Sequence, residues 1–306
     1  MNFLICICTY KRNNSLLECI RSIEKLNFIN KCEINILILD NTINNNSQKI
    51  LKEIKKAKLN IYHLNEKKRG IVYARNKCLL SAKEFNPDYL AFIDDDVRLD
   101  KNWLQNNLLI MNKFKADIVT GPQKYLKIKQ NENLINYNEL FEKKYNVEPK
   151  KVKWAATNNV FIKYKFLKLN PNLKFDKNLN KFGIGEDQLF FSTLNKLGLN
   201  ILWSSTVKVF EKIHTHRNTL NWVKNRSFRL GILGHYIDTK LHGKIFGYFL
   251  NYLKCFFYLF IFFLALINPL SKVYKVNLIN LFFRFYGRMK GPFLFKKIGF
   301  YKRNIY

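Results

Sequence analysis

Acidic residues are what this chain is short of. Its 306 residues hold 22 Asp and Glu against 53 Lys and Arg, a formal net charge of +31. An excess of that size favours polyanionic partners, whether nucleic acid, an anionic membrane face or phosphorylated substrates, and says little about fold. The features that would single out nucleic acid are missing: there is no zinc-finger spacing, no RNP aromatic motif and no dense arginine patch. Nucleic acid is therefore not expected as a partner. The six cysteines include no CxxC pair, and Cys6 and Cys8 lie in an apolar strand, so we expect core thiols and a reducing compartment. Phe3–Cys8 follows the N-terminus at once, so no signal peptide is expected. Internal repeats are absent, and no clear linker precedes Lys244. A 48% hydrophobic composition over this length suffices for a real core in one or two domains.

What is present begins with an alternation of short apolar runs and helical spacings. Phe3–Cys8, Ile34–Leu39, Asn60–His63, Tyr89–Ile93 and Asp117–Thr120 read as strands. Helices are expected over Ser15–Leu26, Ile50–Lys58, Gly70–Lys83 and Leu99–Phe114, the first with Ser15 and Glu18 as a capping box. This order predicts an α/β fold, a mostly parallel sheet with helices on both faces. Beyond Pro122 the rhythm loosens. Leu134–Lys144 reads as helical, Val152–Thr157 as extended, and Val160–Ile162 and Ile201–Trp203 as short strands. Phe182–Gly185 is a glycine-flanked loop before a helix at Glu186–Leu197, and Thr219–Gly231 is helical again.

One stretch, YLAFIDDDVRLD at Tyr89–Asp100, organises the rest. Its apolar run ends abruptly in Asp94, Asp95 and Asp96. Three carboxylates cannot stay unpaired in a core, so they belong at the open end of the strand. Asp94 and Asp96 can converge from a turn on one hard cation, Mg²⁺ or Mn²⁺, with diphosphate oxygens completing its shell. The same acids also suit a solvated turn with Asp100 capping the next helix. Glu186 and Asp187 fall in the first turn of a helix, either as exposed, aimable carboxylates or as acids favoured there by the helix dipole.

The composition changes near Lys244. Ile245–Leu270 is apolar and aromatic, interrupted by Asn251 and Lys254. Its clean part, Cys255–Ile267, is shorter than the roughly 20 residues of a membrane span, whereas the whole window reaches that length. Ser271–Tyr306 is rich in Phe, Lys and Arg and has no acidic residue. A helical membrane-associated segment with basic flanks on the cytoplasmic side is expected, whether interfacial, re-entrant or spanning, with soluble packing as the alternative. The expected division is a main domain over 1–243, with halves at about 1–121 and 122–243, and a membrane-association region over 244–306.

Five motifs follow in order: a first strand ending in CTYKRN, a second ending in LDN, GIVYARN at Gly70–Asn76, FIDDDV at Phe92–Val97 and GIGEDQLF at Gly183–Phe190. Together they resemble the family 2, GT-A-fold inverting glycosyltransferases, up to about Gly231. The resemblance implies a Rossmann-like nucleotide-diphospho-sugar transferase fold and a set of roles. Thr9, Arg12 and Asp40 would hold base and ribose, and Arg75 would position the nucleotide. Asp94, with Asp95 beside it, would face the donor, and Asp96 would bind Mg²⁺ or Mn²⁺. Asp187 would be the catalytic base and Glu186 a local support. A second pattern, Glu211, Arg217, Thr219, Trp222, Arg226, Arg229 and Gly231, resembles a subset of bacterial members. It implies Arg217 at the diphosphate, with Glu211, His216 and Trp222 in supporting or acceptor positions. His214 and His216 are offset from where relatives place a histidine near Glu211, and a solvated role fits them equally. Trp154 and Asn158 are expected on the acceptor side, with plain packing and an Asx-turn as their alternatives.

The implied partners are a UDP-, GDP- or dTDP-sugar, a lipid-linked or polysaccharide acceptor, and an anionic membrane surface. Transfer with inversion onto a lipid-linked intermediate of cell-surface polysaccharide, at the cytoplasmic membrane face, is the expectation. A soluble transferase acting on protein or a small acceptor, and a non-catalytic nucleotide-sugar or membrane-binding module, are the rivals.

Overall fold

Strand β1 (Asn2–Thr9) is buried on both sides. Phe3, Ile5 and Ile7 enter one core, and Leu4 and Cys6 enter the other. That is how a near-continuous apolar run behaves in the middle of a covered sheet. The computed structural model describes residues 1–27, 32–48, 59–126, 145–212, 217, 219–267 and 274–295. In chain order, β1 leads to α1 (Asn13–Glu24), β2 (Glu33–Asp40), β3 (Asn60–Asn65), α2 (Ile71–Phe85), β4 (Tyr89–Asp94) and β5 (Val97–Leu99). There follow α3 (Trp103–Lys113), β6 (Ile118–Thr120), β7 (Gln123–Leu126), β8 (Lys150–Lys151), β9 (Asn159–Lys163) and α4 (Tyr164–Leu169). The chain continues through α5 (Glu186–Lys196), β10 (Ile201–Trp203), β11 (Val209–Lys212), α6 (Leu220–His242), α7 (Lys244–Ile267) and α8 (Tyr274–Leu294).

Among the described residues, eight strands form one sheet in the order β3-β2-β1-β4-β9-β6-β10-β8, and β5-β11-β7 form a smaller one. The β1–β2, β2–β3, β1–β4 and β6–β10 pairs are parallel, but β9 runs antiparallel to both neighbours. The sheet is therefore mostly parallel, as expected, six of its eight strands running one way with β9 and the edge strand β8 reversed. The α3 connection carries the chain from β4 to β6 across the width of one strand, and β9, arriving later, fills that slot in the opposite direction. Helices α1 and α3 pack on one face through Leu16, Ile20 and Trp103, and α2 and α5 on the other through Cys78, Phe191 and Leu194.

Local departures from expectation have local causes. Glu18 does not close a capping box on α1; its carboxylate pairs with Arg98 and Lys212, and the helix starts at Asn13 with no side-chain cap. The expected start of a helix at Leu99 is displaced because Val97–Leu99 pairs with β11, so α3 begins at Trp103. Val152–Thr157 lacks strand pairing, the edge pairing being made by Lys150–Lys151. All six cysteines are free thiols. The helices expected at Ile50–Lys58 and Leu134–Lys144, and His214 and His216, lie outside the described residues.

The described residues group into two compact units. The first spans Met1–Leu126, Lys143–Asn180 and Glu186–Lys212; the second holds Lys181–Gly185 and α6 to α8. In the second unit α6 and α8 touch backbone to backbone. A Cβ added at Gly231 would lie 2.8 Å from Gly287 Cα, so these positions admit only glycine. Asp238 of α6 accepts from Lys254 of α7 (2.6 Å) and Arg288 of α8 (2.8 Å), so a buried acid is met by a cation from each neighbour. Outside its narrow buried stripe of Gly247, Asn251 and Cys255, α7 exposes Phe249, Phe256 and Phe260. It is long and apolar enough to cross a membrane by length and composition.

Candidate functional site

Parallel register brings the C-terminal ends of three strands to one edge. Thr9 of β1 stands opposite Asp40 of β2, and Cys8 opposite Asp94 of β4. This is where open α/β sheets place ligands, because the loops leave the sheet there. The acids Asp94–Asp96 form the end of β4 and the tight turn into β5, and they do not share one environment. Asp95 points inward and is 4% exposed; Thr9 Oγ1 donates to it at 2.8 Å and Arg12 Nη1 at 3.0 Å. The same guanidinium donates to Asp96 Oδ2 at 2.6 Å. Asp94 keeps a side chain 41% exposed.

Burial pushes the Asp95 carboxyl up to about 7, and the neighbouring Asp96 charge adds to it, against the pull of Arg12. For Arg12, burial lowers proton affinity, but the Asp95 and Asp96 charges together outweigh it and keep the guanidinium charged.

Arg75, buried on α2, ties this edge to the head of α5. Its Nη1 donates to Glu186 Oε1 at 2.5 Å and its Nη2 to Asp94 Oδ1 at 3.4 Å. Glu186 is buried, and its Oε2 has no hydrogen-bond partner among the described residues. Asp187, next along, is half-buried rather than exposed, and its Oδ1 accepts from the Gln188 N–H at 2.7 Å. Burial raises its carboxyl to about 6, the Glu186 charge adds to the rise, and Arg75 opposes it. A half-buried acid with that affinity for protons can accept one near neutral pH, which the open carboxylate expected from sequence would do poorly.

Asp40 shares the edge but is fully occupied. Its oxygens accept from Thr42 N (2.8 Å), Ser47 N (2.7 Å) and Ser47 Oγ (2.7 Å). Burial works against its charge, and the Ser47 and Thr42 donors overcome it, holding the carboxyl below the usual range. Here the acid shapes the loop after β2.

Asn41, which the LDN motif contains but which sequence reading left without a role, joins that loop to α2. Its Oδ1 accepts from Gly70 N at 2.6 Å, and its Nδ2 donates to the carbonyls of Glu66 and Lys68. Nothing in its spacing announced this, since its partners are backbone atoms about 25 or more residues away.

Glu211 is buried in β11 directly across from Val97, one residue beyond Asp96, so the small sheet brings it beside the acidic turn. Asn158 donates to the Gln123 side chain, and Trp154 packs half-buried against the core on the α2 face. Arg217 and Trp222 belong to the second unit, where Thr219 caps α6 by accepting from Trp222 N, and the Arg226 guanidinium lies 5.2 Å from the Trp222 ring centre. His216 lies outside the described residues. Among the described residues no group of three or more His, Cys, Asp or Glu side chains is arranged to hold a metal ion.

Comparison with known proteins gives these residues a context. The profile described as Glycosyl transferase family 2 matches residues 4–172. The succinoglycan biosynthesis protein ExoM of Rhizobium meliloti (strain 1021) is 26% identical over 240 residues, covering 78% of this chain and 75% of that protein. Among solved structures, S. aureus TarS superposes with a TM-score of 0.53 at 17% identity, covering 80% of this chain but only 43% of its own. The mannosyltransferase PcManGT from Pyrobaculum calidifontis, in complex with GDP-Man and Mn²⁺, gives a TM-score of 0.59 at 13% identity, with 95% and 87% covered.

Proposed function

The chain belongs to glycosyl transferase family 2, and from that premise we propose that it moves a sugar from a nucleotide-sugar donor to an acceptor hydroxyl with inversion. One observation carries the catalytic part. Arg75 spans Asp94 at the strand end and Glu186 at the head of α5, so a single buried guanidinium holds the acidic edge and the acid pair in one site. Asp187 takes the proton from the attacking hydroxyl, and its raised affinity for protons suits it to that role. Glu186 is the partner that keeps Arg75 in place, and Thr9, Arg12 and Asp94 line the donor side.

Inversion follows from a single displacement, in which the hydroxyl attacks the sugar carbon from the face opposite the departing diphosphate. The negative charge that develops on the leaving β-phosphate needs a cationic counterpart. Asp94 and Asp96 are hard oxygen ligands of the kind Mg²⁺ and Mn²⁺ take, and the relative PcManGT was solved with Mn²⁺. Two carboxylates are fewer than such an ion needs, so phosphate and water oxygens would supply the rest. A divalent ion bound there would neutralise leaving-group charge.

A lipid-linked intermediate of cell-surface polysaccharide, met at the cytoplasmic membrane face, is the acceptor that best uses the exposed apolar face of α7 and the basic segment after it. The likeness to a succinoglycan biosynthesis protein supports a place in polysaccharide synthesis.

The test pairs two measurements on one preparation. Asp187→Asn should lower single-turnover transfer of labelled sugar by about 10²–10⁴-fold while donor titration stays close to wild type. Full transfer by that variant would remove the base assignment. A wild type that binds donor yet transfers to no acceptor pool would favour a binding module.

A further inference from the structure

The five residues before the acid pair have little structure of their own to hold them. Gly183 and Gly185 both adopt positive φ, +62° and +88°, in a loop whose sequence permits many other conformations. The hold comes from helices that follow in the chain. Arg229 of α6 donates from Nη1 to the Phe182 carbonyl at 2.9 Å, a charge-assisted bond. The Phe182 ring is fully buried and stacks on Phe295, just past the end of α8, at 5.1 Å and 24°. Phe295 is itself fixed by Tyr236 of α6, stacked at 3.9 Å and 6°. Lys181 Nζ donates to the Phe295 carbonyl. At the far end of the loop, a Cβ built on Gly185 would come within 3.1 Å of Leu233, so that residue also sits tightly against α6. All five loop residues group with α6 to α8 rather than with the unit that contains Asp187.

We propose that Arg229 and Phe295 form a clasp on the Lys181–Gly185 loop, and that Arg229 is thereby a positioning residue that sets the direction in which the chain delivers Asp187. Gly185 is followed at once by Glu186 and Asp187, so the loop is the lever through which any displacement reaches the carboxylate. The inference rests on Asp187 being the base, and it adds a dependence of turnover on residues that touch neither donor nor acceptor.

The experiment uses the full chain and three variants: Arg229→Met, Arg229→Lys and Phe295→Ala. Hydrogen exchange of the peptide covering Lys181–Gln188 should rise in Arg229→Met and in Phe295→Ala, with Arg229→Lys restoring part of the protection. Turnover should fall by about 10–100-fold in the first two while donor affinity is kept, since a misplaced group of the order of 1 Å costs up to about that factor. The acid limb of the pH–rate profile should shift down as the acid opens to water, a change that general loss of stability would not produce. Phe295→Ala leaves Arg229 in place, so the two variants must agree. Unchanged exchange in both would overturn the clasp, and raised exchange with wild-type turnover and pH profile would overturn its positioning role. Failure of the parent reading is recognisable separately, because it would show in the unsubstituted protein as absence of donor binding and transfer.

Discussion

A carboxylate that must accept a proton near neutral pH works best when its own affinity for protons has been raised, and Asp187 meets that condition. A base must be charged to act, so the transfer rate should fall as pH drops through about 6. The same shift has the opposite sign for stability. Between 3.8 and about 6 the folded protein holds a proton that the unfolded chain has released, so stability declines as pH rises across that window. Asp187→Asn should remove the decline and gain about 1–3 kcal/mol at pH 7, while losing turnover. Urea midpoints at pH 4 and pH 7 for both proteins check this. An acid limb near pH 4, with no stability gain in the variant, would show that burial does not act on this group. Sequence placed Asp187 at the head of a helix but expected it exposed. Its surroundings include the charge of Arg75, 112 positions earlier in the chain, and no local pattern carries that information.

At the scale of elements, the turn between β4 and β5 divides three identical residues among different tasks. Alternation of side chains about the strand end turns Asp95 inward to Thr9 and Arg12, while Asp94 stays open to solvent. Asp96→Asn should abolish divalent-dependent donor affinity and leave the fold intact, because Arg12 retains Asp95 as a partner. Calorimetry of a nucleoside diphosphate with Mn²⁺ is the check; equal affinity in variant and wild type would remove Asp96 from metal binding. The longer strands of the larger sheet were legible because apolar runs of this length can only be buried, whereas the short strands β5, β7 and β11 of the smaller sheet were not. β9 was legible as a strand, yet its direction was not, since an isolated Val-Phe-Ile run reads the same either way. The capping box at Ser15 and Glu18 was a sound local pattern overruled by Arg98 and Lys212, which offer Glu18 opposite charge.

At the scale of the whole molecule, charge and one helix face support the proposed lipid partner. The net charge of +31 and the exposed aromatic face of α7, where Phe256 is 63% exposed, together suit an anionic lipid surface. With 24 residues α7 is about 36 Å long, above the about 30 Å of a hydrocarbon core. The full chain should float with vesicles containing phosphatidylglycerol. Raised salt should loosen that binding without abolishing it, since each Lys or Arg near the surface contributes only about 1 kcal/mol and the aromatic face is not screened. Phe256→Asp combined with Phe260→Asp should release it. A wild type that stays in the soluble fraction without detergent would exclude the anchor.

The amino-acid sequence by itself determined seven of the eight strands of the larger sheet, the order of the motifs and the abrupt change at Lys244, because hydrophobic periodicity and acid clusters are local and the chain has few ways to satisfy them. It also marked out nearly every residue that meets at the sheet edge. Tertiary structure alone decided how far each acid of the turn is exposed and which donors it meets. Asp95 carries the same side chain as Asp94, but its donors Thr9 and Arg12, far back in the chain, reach it only once β1 and β4 have come into register. It also decided that the loop before Asp187 is gripped by Arg229 and Phe295, from helices that begin more than 30 residues later. Proton affinity and aim are properties of such surroundings, and surroundings are set by long-range packing.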